Sequence, residues 1–437
     1  MGLRGMVALG LLLAAAVADR FAHTASRSTL VSLVLRSAQT SDGSASSEIA
    51  RLVLVSGVTS LVASFVGAAI ALGVGLRATA VIGALISAVG YAVVASGGPP
   101  LLGTTLIGAG TGVFRVCPYA AAAEILAPST ANERDGSPPP PSPARFLAVS
   151  AFVALVYAGA SASAGVAPVV AGALLVYGGH AVAFGVDAGV AVLAAALAGG
   201  ALLLEVLGRP SRPPAPTAGP TFPYRAPAAW PPPPASTANA TGALAGFAAL
   251  AAAFGLWQLA MQVGAMPSHL AGATIDVFGR MHAAATIVTT LAALCLGAIL
   301  VVAARAGWSF PPVALFGAGL AMEGLGLLVK SLGGGHSLVL FGAGELAASL
   351  GEATISIGAA YAALTSRGRG AVFVVAAWMA VAYVASTAGG ALHGALAASP
   401  LHGALVAVIG LGCLSAGGVL VALRRHVHAL WLPPAER

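Results

Sequence analysis

Apolar windows of about 20 residues, each long enough as a helix to cross roughly 30 Å of hydrocarbon, recur along this chain and constrain its fold more than any motif. Twelve can be counted between breaks of polar residues, Pro and Gly: 6–36, 51–73, 77–98, 101–127, 145–175, 179–207, 242–266, 281–304, 311–332, 336–364, 370–397 and 402–424. Only 8% of the 437 residues are charged and 58% are hydrophobic, whereas a soluble domain carries about 25% charged residues. The expected fold is therefore an all-α integral membrane protein with twelve transmembrane helices.

Between the sixth and seventh windows lies GRPSRPPAPTAGPTFPYRAPAAWPPPPASTANAT, Gly208 to Thr241. Its prolines exclude a helix and favour an extended tether. The expected organisation is a six-helix bundle over 1–207, a Pro-rich cytoplasmic linker over 208–240 and a second six-helix bundle over 241–437. Loops on one side hold Arg4, Arg77, Arg134, Arg145, Arg209, Arg212, Arg225, Arg305, Arg367, Arg369, Arg424 and Arg425, against Arg36, Arg51, Arg280 and Lys330 on the other. Cations accumulate on the cytoplasmic side, so both termini and the tether are expected there, with the plasma membrane as the expected site. The net charge of +7 is scattered singly between spans and forms no basic tract, so nucleic acid is not an expected partner. The bilayer is. The PPPP run of the tether, Pro231 to Pro234, offers a further surface, to domains that bind extended prolines.

Enzyme chemistry finds no foothold. The nine histidines are not in metal-ligand spacing, and no Gly-rich loop sits between a strand and a helix. Cys117, Cys295 and Cys413 lie far apart in apolar segments and are read as buried thiols. Neither a metal nor a cofactor is expected, protons aside.

The stretch VADRFAHTASRSTLV, Val17 to Val31, sets Asp19, Arg20, His23 and Arg27 inside the first window. The residues before it imitate a secretory signal peptide with an AVA cleavage site, but a cleaved signal has no use for a polar stripe. On one helix Asp19, His23, Arg27 and Arg20 fall at about 0°, 40°, 80° and 100°, forming such a stripe roughly 12 Å long. An ionisable side chain facing lipid costs at least a few kcal/mol. The stripe must therefore face water or countercharges.

Further charges interrupt other windows: Arg115 and Glu124, Asp187 and Glu205, Glu323, and the pair Glu345 and Glu352. Arg115 and Glu124 are about 180° apart on their helix, so each needs a partner elsewhere. Glu345 and Glu352 share one face with Ser349. Arg27, Arg115 and Glu345 sit deepest and are read as functional, whereas Glu124, Glu205 and Glu352 are read as span ends or carboxylates satisfied by packing. Trp257 and Trp378 fit cavity lining and packing equally.

Taken in order, ADRFAHTASRSTLVSLVL, GAAIALGVGLRATAVIGALISAVGY, GAGTGVFRVCPYAAAAEIL, APVVAGALLVYGGHAVAFGVDAG, LWQLAMQVGA and GELAASLGEATISIGAAYAALTSRGRGAVFVVAAW resemble the proton-dependent oligopeptide transporter family of the major facilitator superfamily. The first is similar to that family's Glu-x-x-Glu-Arg-Phe helix, with Asp19 at the second glutamate, Ala16 at the first, and His23 and Thr24 at two tyrosines. Ala71 stands at a loop aspartate, Arg115 at a fourth-span lysine, Val116 at the proline after it, and Ser161 where an asparagine is usual. Trp257, Gln262, Gly264, Glu345 and Trp378 match. The resemblance implies two six-helix bundles in the major facilitator fold, a mid-membrane cavity and alternating access. It implies that Arg27 and Arg115 receive a peptide carboxylate and Glu345 its amino terminus, with His23, Ser161, Trp257, Gln262 and Trp378 completing the substrate site. Proton coupling would fall to Asp19, Arg20 and Glu345.

The expected function is secondary active transport of short peptides or related small zwitterions, with protons as the coupling ion. Ala16, Ala71 and Arg115 depart from the family pattern and leave two alternatives, an uncoupled carrier of another small solute and a transport-inactive membrane scaffold. The topology is directly testable. Asn239-Ala-Thr241 is a formal glycosylation sequon on the expected cytoplasmic side, so translation into microsomes should leave it bare. A sugar-dependent mass shift there would invert the orientation.

Overall fold

In hydrocarbon the backbone must satisfy its own hydrogen bonds, so apolar windows of this kind become continuous helices. The computed structural model describes residues 3–38, 45–126, 143–208, 237–264, 275–306, 312–332, 337–365, 371–396, 399, 401–424 and 426–427. The tether residues 209–236 and the loop residues Arg134, Arg209, Arg212, Arg225, Arg367, Arg369 and Arg425 lie outside them. The helices are Leu3–Ala38, Ala45–Val74, Leu76–Ala95, Pro100–Leu126, Pro143–Gly208, Thr237–Val263, Ile275–Arg305, Pro312–Leu332, Leu338–Thr365, Ala371–Leu396 and Leu401–Ala422. Within Pro143–Gly208 the chain turns at Gly179, whose φ of 71° is left-handed and suits a residue without a Cβ. This helix thus supplies the fifth and sixth spans, and the described helices are numbered as spans one to twelve in chain order.

The first span packs along the fifth and sixth, and the fourth is held between the second and third. In the second half the ninth span packs on the tenth and twelfth, and the seventh on the eleventh. The halves meet where the eighth span lies on the fifth, and where the eleventh lies on the second. Tyr91, Phe114 and Phe184 are buried in the first half, and Phe254, Phe316, Leu320 and Ile355 in the second. Val169, Val176, Tyr177 and Val339 point outward, as lipid-facing positions do, and an apolar groove of Ile82, Leu85, Ile86, Val89 and Leu106 is part of the outer surface. Cys117 and Cys413 are buried as expected, but Cys295 is exposed, a correction that follows from the outward face of the eighth span being apolar rather than packed.

Lipid provides no hydrophobic drive between helices, so close approach of backbones does the work. The fourth span shows this on two sides. The Ser60 hydroxyl donates to the Gly108 carbonyl at 2.8 Å and that of Ser64 to the Gly112 carbonyl at 3.3 Å, joining it to the second span. Toward the third span, a Cβ on Gly83 would fall 2.6 Å from the Phe114 backbone nitrogen and 2.9 Å from the Gly110 carbonyl oxygen. Gly83→Ala should therefore cost about 1–3 kcal/mol, read as a lower unfolding midpoint in detergent. Gly10→Ala, with nothing within 4 Å of the added carbon, should leave the midpoint unchanged.

Candidate functional site

The polar stripe of the first span turns into the protein. Asp19 and His23 are 5% and 7% exposed. Arg20 and Arg27 keep accessible surface although protein surrounds them on all sides, the combination expected of side chains bordering an internal space rather than lipid. Asp19 Oδ2 lies 3.6 Å from Nε of Arg115 on the fourth span. Nη1 of Arg115 donates to the Tyr383 hydroxyl on the eleventh span at 3.4 Å, while Nη2 is buried with no hydrogen-bond partner among the described residues. One guanidinium thus touches both halves. The backbone beside it is a weak point, because Pro118, inside the helix, cannot donate to the Phe114 carbonyl one turn back.

Arg20, Arg27 and Arg115 lie close enough for mutual repulsion, with His23 among them. Arg20 also faces Tyr119, Tyr157 and Glu352. The Tyr157 hydroxyl sits among Glu352, Ser356 and Ser161, which brings Ser161 into the same neighbourhood. These groups thus come from the first, fourth and fifth spans on one side and the tenth and eleventh on the other.

Several expected site residues stand differently. Glu345 was expected to hold an amine as a lone carboxylate. Its Oε2 instead lies 2.5 Å from the Lys330 ammonium, which also donates to the Gly264 carbonyl at 3.2 Å and stands 5.1 Å over the Phe341 ring. Lys330 belongs to the last turn of the ninth span, not to a free loop, and the cost of a bare carboxylate in the membrane draws the two together. Trp257 and Trp378, 4% and 3% exposed, belong to the second half's apolar core, where Phe254 stacks within 5.2 Å of the first ring and 4.6 Å of the second. This favours packing over cavity lining. Gln262 on the seventh span is half-buried, with its Cβ against Gly389.

Ala16 and Ala71 have apolar surroundings. Ala16 packs by Ala122, Phe152 and Val156, and Ala71 shares a cluster with Val372 and Val375 at the seam between second and eleventh spans. The remaining carboxylates fall outside the arginine cluster. Buried Arg77 bonds Glu205 across the third and sixth spans, and Glu124 lies near both, which gives it the cation it cannot find in Arg115. Asp187 and Glu323 are buried, each with one carboxylate oxygen unpartnered among the described residues.

Sequence reasoning passed over Tyr157 and Tyr383. For Tyr157 a signal existed, since it stands one turn before Ser161 on the same face. Glu352, read as a span end or a carboxylate satisfied by packing, has Tyr157 and Arg20 beside it.

No family model matches the sequence, and no curated protein sequence matches it. Among solved structures, the human organic anion transporter MFSD10 (TETRAN) aligns with a TM-score of 0.66 at 14% identity, covering 98% of this chain and 100% of that one. A peptide transporter POT in complex with sulfate aligns with a TM-score of 0.66 at 17% identity, covering 97% and 95%. A mutant POT in complex with alafosfalin aligns at 0.64 and 16%, with the same coverage. At such identities the likeness is one of fold, and the fold is the twelve-span, two-bundle fold of the major facilitator transporters.

The Asp19–Arg115 contact predicts energetic coupling. In a double-mutant cycle of Asp19→Asn and Arg115→Gln, unfolding in detergent should show an interaction of roughly 0.5–3 kcal/mol. Strictly additive losses would contradict the pairing.

Proposed function

We propose that this chain is a secondary transporter, a divergent relative of the proton-dependent oligopeptide transporters, which carries a small carboxylate-bearing solute through the space between its halves by alternating access. Short peptides and related small zwitterions are the reading that the sequence resemblance supports. The observation that carries the proposal is the Arg115 guanidinium between Asp19 of its own half and Tyr383 of the other. A cation at the bundle seam is positioned both to meet an anionic group and to be released when the halves rock apart.

Coupling to protons would run through Asp19. A proton on this carboxylate removes its attraction for Arg115, so loading and release of the proton free or hold, from within the first half, the guanidinium that reaches Tyr383 of the other. Glu345, already neutralised by Lys330, is less suited to that role. In this reading the bundles are residues 1–207 and 241–437, and the termini and tether face the cytoplasm.

Uptake into proteoliposomes tests the proposal. A labelled dipeptide panel, including acidic and N-blocked members, should enter faster under an inward proton gradient, and Arg115→Gln should reduce uptake at least about tenfold. Uptake that ignores the gradient would retain the carrier and remove proton coupling. Absence of uptake for the whole panel by folded protein would overturn the transporter reading.

A further inference from the structure

We infer that the cargo of this chamber is a net organic anion, a carboxylate-bearing molecule without a free amine, rather than a neutral zwitterion. The inference rests on the carrier reading above and concerns the charge of what is carried.

It comes from which charges around the chamber are already matched. Three guanidiniums, Arg20, Arg27 and Arg115, approach one another from the first and fourth spans. Asp19 is taken by Arg115 at 3.6 Å. Glu352, from the tenth span, has the Tyr157 hydroxyl and the Arg20 charge beside it. Arg27 is left over. Among the described residues it has no ion pair, its neighbouring charges Arg20 and Arg115 repel it, and the polar group facing it from the other half is the Tyr383 hydroxyl. It nevertheless keeps accessible surface, so a ligand in the chamber can reach it.

The counterpart for an amine is missing. A zwitterion needs an open carboxylate opposite the cations. Glu345 is closed by Lys330 at 2.5 Å, and Glu352 is flanked by Arg20 and Tyr157. An ammonium entering here would bring a fourth positive charge toward three that already repel, in a setting where water screens poorly. An anionic group instead meets the accessible Arg27, whose planar fork suits a carboxylate's two oxygens. Three cations against two carboxylates leave one positive charge, which a single anionic group balances.

The test uses the full-length protein in proteoliposomes and three probes of one shape: alanyl-alanine, its N-acetyl form and its C-terminal amide. They are a zwitterion, an anion and a cation. The N-acetyl form should be taken up with at least about tenfold higher kcat/KM than alanyl-alanine, and the amide should not compete. Arg27→Gln should bring the two carboxylate probes to within about threefold of each other, while Arg27→Lys, which keeps the charge, retains the preference. Unfolding midpoints near that of the wild type would establish that both variants fold. Preferred or equal uptake of alanyl-alanine, or competition by the amide, overturns the inference and leaves the carrier standing. Absence of both saturable binding and uptake for all three probes by folded protein overturns the carrier reading and the inference with it.

Discussion

A guanidinium that cannot be left bare in the membrane interior organises this molecule. Arg115 enters from the fourth span, which is boxed in by the second and third through glycine contacts, so its charge has nowhere to go but inward. There it finds Asp19 on the first span and Tyr383 on the eleventh. The same rule, that an ionised group in hydrocarbon must be paired or hydrated, explains the other polar contacts. Lys330 folds back on Glu345 and the Gly264 carbonyl, and Arg77 holds Glu205 at the far end of the first half.

The seam between the halves is polar in some places and apolar in others, and the two kinds of contact differ in what they permit. Where the second span meets the eleventh, Ala71 packs with Val372 and Val375, a contact without direction that tolerates sliding. Around Arg115 the contacts to Asp19 and Tyr383 are directional, and small displacements change them sharply. Ala16 and Ala71 sit in apolar clusters where an unpaired charge would be costly.

Much of the site is legible in the chain itself. The stripe of Asp19, Arg20, His23 and Arg27 comes from helical periodicity alone, and the need of Arg115 for a partner other than Glu124 comes from their opposite faces. Weighing each carboxylate separately is what misleads. Glu345 looks free and Glu352 looks inert, because depth along one helix says nothing about which cation comes within reach from another. Lys330 is fifteen residues before Glu345 in the chain yet shares its oxygen. Trp257 and Trp378 illustrate the same limit, since aromatic rings serve a cavity wall and a packed core equally well until Phe254 is seen between them.

By itself, the sequence determined that this chain spans the membrane about twelve times, that a proline-rich stretch interrupts the apolar windows after the sixth, and that a set of charged groups must turn inward. Those results rest on local quantities, the length of apolar runs and the angle per residue, which need no knowledge of neighbours. Tertiary structure alone decided which charges pair, which glycines are pressed against backbone and which arginine is left over. Pairing depends on distances between helices far apart in the chain, and the interaction of two charges falls with those distances and rises as water is excluded.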